Sequence, residues 1–125
     1  MSLLTGWMGH AVSVDVARLQ KEYAPLLVEG EQIVAAYQLV RDTFVFTTLR
    51  LILVDKQGMS GRKVETMTIP YGSIVRFSKE SAGLMDLDAE LKIWVRGQDA
   101  PIVREFKKDN AVNDVYRILS QAILK

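Results

Sequence analysis

Cysteine is missing from all 125 residues, which rules out disulfides, thiolate metal sites and cysteine nucleophiles. Histidine occurs once, as His10, in an apolar glycine-containing stretch with no carboxylate near it in sequence, a poor setting for a general base. No G-x-S-x-G lifts a serine onto a nucleophile elbow, and Gly6-x-x-Gly9 is too short to cradle a pyrophosphate. An excess of one charge is lacking too. Sixteen Lys and Arg against 15 Asp and Glu leave a net +1, without the basic surplus a general nucleic-acid binder needs. No apolar run approaches the roughly eighteen residues of a membrane span. The N-terminus has no basic region ahead of its apolar residues and no charge before Asp15, which is the wrong start for a secretory signal, and Ser2 fails the myristoylation pattern. These absences point to one cytoplasmic, non-enzymatic domain that carries no cofactor and no metal. With 49% hydrophobic residues, the chain has enough material for a real core.

The densest structural signal runs from Thr43 to Gly58. Phe44, Val45 and Phe46 form one β-prone run, Thr47 and Thr48 break it, and Leu49 to Val54 form a second. Leu49, Leu51 and Leu53 share one side of that second run, while Ile52 and Val54 lie on the other with Arg50. A strand apolar on both faces has to be covered from two directions. Asp55-Lys56-Gln57-Gly58 then supplies the polar reversal into the next strand.

Leu3, Leu4, Trp7, Met8, Ala11 and Val12 recur at three- and four-residue spacings, which predicts a helical apolar stripe weakened by Gly6 and Gly9. Such a stripe packs on the protein's own sheet or on a neighbouring subunit, or it touches lipid. Asp15 is placed to cap a short helix with Val16, Leu19 and Tyr23 on one side, stopped by Pro25. Strands are expected over 33–40, 62–69, 73–78 and 101–107, with 79–83 as a loop. Arg104 fits its neighbours Ile102 and Phe106 badly. Val112, Val115, Leu119, Ala122 and Ile123 mark one face of a terminal helix, with Asp109 or Asn110 as its cap. The count is a short N-terminal helical part, about seven strands and one final helix.

The cleanest alternation lies between Asp86 and Arg96. Leu87, Ala89, Leu91, Ile93 and Val95 occupy one face, and Asp86, Asp88, Glu90, Lys92, Trp94 and Arg96 the other. Asp86-Leu87-Asp88-Ala89-Glu90 has the spacing of a calcium loop, but Leu91 stands where glycine is required, and strand alternation explains the spacing more simply. The polar face passes from acidic to basic and aromatic, which suits head-to-tail contact between copies, and an outward Trp is an interface-anchor residue type. Candidate interaction residues are therefore Leu3, Leu4, Trp7 and Met8 on the first stripe, and Asp86, Asp88, Glu90, Lys92, Trp94 and Arg96 on the strand.

Taken together, LLTGWMG, LLVEGEQI, FVFTTLRLILVDKQG, IPYGSIVRFS, LDAELKIWV and EFKK resemble the bacterial pleckstrin-homology-like domains over nearly the whole chain. Relatives commonly show T-N-K-R-L where this chain has Thr47-Thr48-Leu49-Arg50-Leu51, so the turn chemistry differs and the arginine stays. The resemblance implies a mainly β fold: a strongly bent seven-stranded antiparallel sandwich or partial barrel, capped by the C-terminal helix. Residues 1–30 then form an N-terminal helical extension packed on the domain or on a neighbouring subunit, and 31–125 form the domain. The best-known eukaryotic members of the fold bind a lipid phosphate with basic residues between the first two strands. That connection here is Arg41-Asp42, one basic and one acidic residue, so phosphoinositide binding does not carry over. Family likeness also suggests ring-like homo-oligomers. The expected function is a self-associating binding or scaffold module with a protein or peptide partner and no nucleic acid. The alternative is peripheral membrane attachment through the apolar N-terminal segment.

Overall fold

The computed structural model describes residues 12–13, 15–39, 41–57, 62–81, 88–107 and 111–124. Its elements, in chain order, are β1 (Val12–Ser13), α1 (Val16–Glu22), β2 (Ile33–Gln38), β3 (Asp42–Thr47), β4 (Arg50–Gln57) and β5 (Lys63–Pro70). They continue with β6 (Ile74–Ser81), β7 (Ala89–Val95), β8 (Ile102–Phe106) and α2 (Ala111–Ile123). Every strand pair is antiparallel, in two sheets ordered β1-β2-β3-β4-β5 and β6-β7-β8. Apart from the two-residue β1, this is the seven-stranded, helix-capped arrangement that the resemblance implies.

The two-faced strand explains the layering. Leu51 and Leu53 face the space between the sheets, where they join Phe44, Phe46, Leu91, Ile93 and Phe106. Ile52 and Val45 face the opposite way and are covered by Leu19 of α1 together with Ile33 and Ala36. Burying each such side chain is worth about 1.5–3 kcal/mol, so the central hairpin is held from both sides. α1 starts where Asp15 Oδ1 accepts from the Ala17 and Arg18 amides, at 3.0 and 3.4 Å. A single 3-10 turn containing Pro25 ends this stretch. α2 turns Val112, Val115 and Leu119 inward and closes the inter-sheet core, as its three- and four-residue spacing requires.

One charged pair is part of this interior. The Glu31 side chain has no exposed surface and takes Arg50 in two contacts, Nε to Oε2 at 2.8 Å and an Nη2 to Oε1 at 2.9 Å. Thr47 Oγ1 donates to Oε2 at 2.6 Å, and the Val28 amide donates to Oε1 at 3.0 Å. Tyr71 donates its hydroxyl proton to the Thr47 carbonyl at 2.7 Å, tying the β5–β6 connection to the same corner.

Four expectations are corrected. Val12 pairs with Gln38 as extended backbone, so the last residue of the expected N-terminal helical stripe belongs to the first sheet. Leu49 is not a face residue of β4: it lies in the β3–β4 turn and is 55% exposed. β6 continues through Lys79 to Ser81, because the early residues of β7 supply its ladder partners. Asp42, expected in the connection between the first two strands, is the first residue of β3, and β2 stops at Gln38. The facing of Arg104, left open by the pattern, is inward: it shares the inner side of β8 with Ile102 and Phe106, where carboxylates of the facing sheet receive it.

Candidate functional site

β7 is the middle strand of the second sheet, so its alternation sets what that sheet shows to solvent. Ala89, Leu91 and Ile93 are buried, which turns Glu90, Lys92 and Trp94 outward. Pairing then decides their neighbours. Glu80 of β6 lies opposite Glu90, and Glu105 of β8 lies opposite Glu90 on the other side, giving a row of three glutamates across the sheet. The next row is Ser78, Lys92 and Val103; the row after that begins with Arg76 and Trp94. Val103 is 40% exposed and gives this face an apolar spot beside Lys92.

The Arg76 guanidinium carbon stands 4.4 Å from the centre of the Trp94 ring, a cation–π contact. Lys92 Nζ reaches Glu80 Oε1 at 3.4 Å across the strands. At this exposure each contact contributes about 1 kcal/mol or less to folding. Stability alone therefore gives little reason for an outward tryptophan between charged neighbours. Arg96 follows in the turn after β7, with its amide on the Ser73 carbonyl at 2.7 Å. Three glutamates thus stand at one end of the face, with Lys107 Nζ 3.5 Å from Glu105 Oε1, and Arg76 and Trp94 at the other.

Of the residues singled out from sequence, Glu90, Lys92 and Trp94 share this face, with Asp88 and Arg96 flanking them. Leu3, Leu4, Trp7, Met8 and Asp86 lie outside the described residues. Arg76, Glu80 and Glu105 were missed, because only the strand register brings them beside Glu90 and Trp94. Among the described residues no three His, Asp or Glu side chains are grouped to hold a metal ion.

A second charged cluster lies at the β2–β3 connection. Asp42 and Asp55 are cross-strand partners, and Arg104 reaches over from the other sheet, with Nε 3.1 Å from Asp42 and an Nη2 3.8 Å from Asp55. The shorter contact is a charge contact without the alignment of a hydrogen bond. Burial, and then the hydrogen bond with Asp55, push the Asp42 carboxyl up to about 6 against the pull of Arg104 and Arg41. A raised acid binds its proton more tightly in the folded chain, so its stabilising share is full below about pH 4 and is lost as pH rises through about 6. Urea titrations should show about 1–2 kcal/mol lost between pH 4.5 and pH 7. Asp55→Asn removes the like charge and should flatten that slope; an unchanged slope would exclude the pair as a contributor. The carboxylates also make this end a poor seat for a phosphate.

Comparison with known proteins agrees with the architecture. Residues 2–123 match the family model described as the bacterial PH domain. An uncharacterised Bacillus subtilis protein, YjqA, is 50% identical over 121 residues, which is 96% of this chain and 97% of that one. The crystal structure of a pleckstrin homology domain from Shewanella amazonensis superposes with a TM-score of 0.83 at 45% identity, covering 89% of this chain and all of the other. A pleckstrin-homology-domain protein from Shewanella loihica gives 0.80 at 43% identity, over 91% of this chain and 97% of that one. Sequence, strand order and terminal helix agree, and the chain belongs to the bacterial pleckstrin-homology domain family.

Proposed function

We propose that this chain is a non-catalytic module that binds protein through the outer face of β6, β7 and β8, where it self-associates and takes a protein or peptide partner. The observation that supports this reading is Trp94, turned outward under Arg76 at one end of a sheet face whose other end carries three glutamates. Aromatic and Arg anchors beside exposed apolar surface are the residues that concentrate binding energy between proteins. Asp42 and Asp55 weigh against a lipid phosphate at the β2–β3 connection, where their charge would oppose it.

Size-exclusion chromatography with light scattering at micromolar concentration tests the self-association. The expected mass exceeds that of one chain and falls on dilution. A monomer at every concentration, together with pelleting on anionic vesicles, would replace this reading with membrane attachment.

A further inference from the structure

We infer that Arg76 and Trp94 form a seat for an acidic side chain of an extended peptide, which runs along the strands of this face and sets an aliphatic residue, two positions away, beside Val103. This rests on the reading that the outer face of β6, β7 and β8 binds protein, and it names the chemistry of the partner. Charge is compensated unevenly along the face. Lys92 takes Glu80 at 3.4 Å and Lys107 takes Glu105 at 3.5 Å, so two of the three glutamates already have a cation. Arg76 has no carboxylate: among the described residues its charge meets only the Trp94 ring, 4.4 Å from the ring centre. The charge left open to a partner at that end is positive.

Local backbone places the guanidinium there. β6 is irregular between Ile74 and Arg76, which pair with Val95 and Trp94, so Val75 is an extra residue without a partner on β7. The bulge leaves Val75 54% exposed and Arg76 directly across from Trp94. The ring holds the guanidinium without using its N–H donors, which stay free for the two parallel hydrogen bonds that a carboxylate accepts.

Same-side residues of an extended chain are about 6.8 Å apart, which is also the step from the Trp94 row to the Lys92 row. A peptide acid seated on Arg76 therefore carries a residue two positions away over the next row, where Val103 is 40% exposed. The glutamate row lies about 14 Å from Trp94. A short peptide ends before it. An anionic bilayer or a nucleic-acid backbone laid flat on the same face meets those glutamates at once, so the arrangement favours a peptide.

Trp94 reports on its own seat, because Trp7→Phe leaves it the sole tryptophan. Its emission is followed in dilute full-length Trp7→Phe protein, where copies do not compete for the face. The probes are a short blocked serine peptide with one Glu and a Val two positions after it, and the same peptide with Gln for Glu. The Glu peptide should bind about fivefold tighter, the upper end for one exposed ion pair. Arg76→Gln should erase that preference, and Arg76→Lys, which keeps the charge without the fork, should retain only part of it. Arg18→Gln removes the same charge from α1 and should leave the preference whole, with melting curves to show that each variant folds. Equal binding of the two peptides, or a preference that survives Arg76→Gln, overturns the inference. So does a Trp94 response to phosphatidylserine vesicles with none to either peptide, which assigns the seat to lipid. If wild type self-associates in light scattering and Trp94→Ala does not, such a failure leaves the binding face standing; with a monomeric wild type, both fall.

Discussion

Glu31→Ala should destabilise the fold by about 3–5 kcal/mol, the cost of breaking a buried charge pair from one side. The carboxylate is fully enclosed and spends both oxygens, on Arg50, Thr47 and the Val28 amide. Removing it strands more than one group. Arg50 also donates to the Leu26 carbonyl at 2.8 Å and to Thr68 Oγ1 at 3.0 Å, so one side-chain pair joins the segment before β2, the β3–β4 turn and β5. The Arg50 hydrogen bond, helped by Thr47 and Val28, outweighs burial and holds the Glu31 carboxyl down at about 2, from an ordinary 4.5. A depressed acid stabilises the fold above its unfolded value. The unfolded chain binds more protons between about pH 4.5 and pH 2, so stability falls as pH drops through that window. Urea denaturation at pH 7 and an acid titration read both effects. Arg50→Lys keeps the charge but loses the two-pronged contact, and should recover only part of the stability. A loss under about 1 kcal/mol for Glu31→Ala would mean the pair is replaceable by water.

The same pair shows where reading a sequence stops. Glu31 reads as one more polar residue in Glu29-Gly30-Glu31, and Arg50 as the odd charge on an apolar strand. Each is ordinary alone, and their meeting depends on a chain reversal that no local pattern encodes. Arg104 is the same case at the other end of the sandwich: it conflicts with Ile102 and Phe106 until Asp42 and Asp55 arrive from the opposite sheet. By contrast, the alternation of Ala89, Leu91 and Ile93 and the helical spacing of Val112, Val115 and Leu119 depend only on local geometry, and both sets are buried as expected.

The candidate surface divides along that line. Glu90, Lys92 and Trp94 are legible as one face of one strand. The glutamate row and the Arg76–Trp94 contact are not, because they depend on the register of β6 and β8 against β7. Leu49 was misplaced for a related reason: apolar character placed it in β4, while the Thr47 hydroxyl takes up the Leu49 and Arg50 amides and holds the turn there.

Trp94→Ala carries the second large effect. The indole is the largest side chain on the outer face and stacks under Arg76, so its removal takes away the aromatic anchor and frees the guanidinium it holds. The loss should weaken self-association at least tenfold, or about 1.4 kcal/mol. Folding should change little, since the ring lies outside the inter-sheet core. Sedimentation velocity over a dilution series, run on wild type and Trp94→Ala with their melting curves, reads this directly. The expected result is a wild type whose sedimentation coefficient rises with concentration beside a folded variant that stays monomeric. A variant that follows the wild type at every concentration would contradict the assignment of this face.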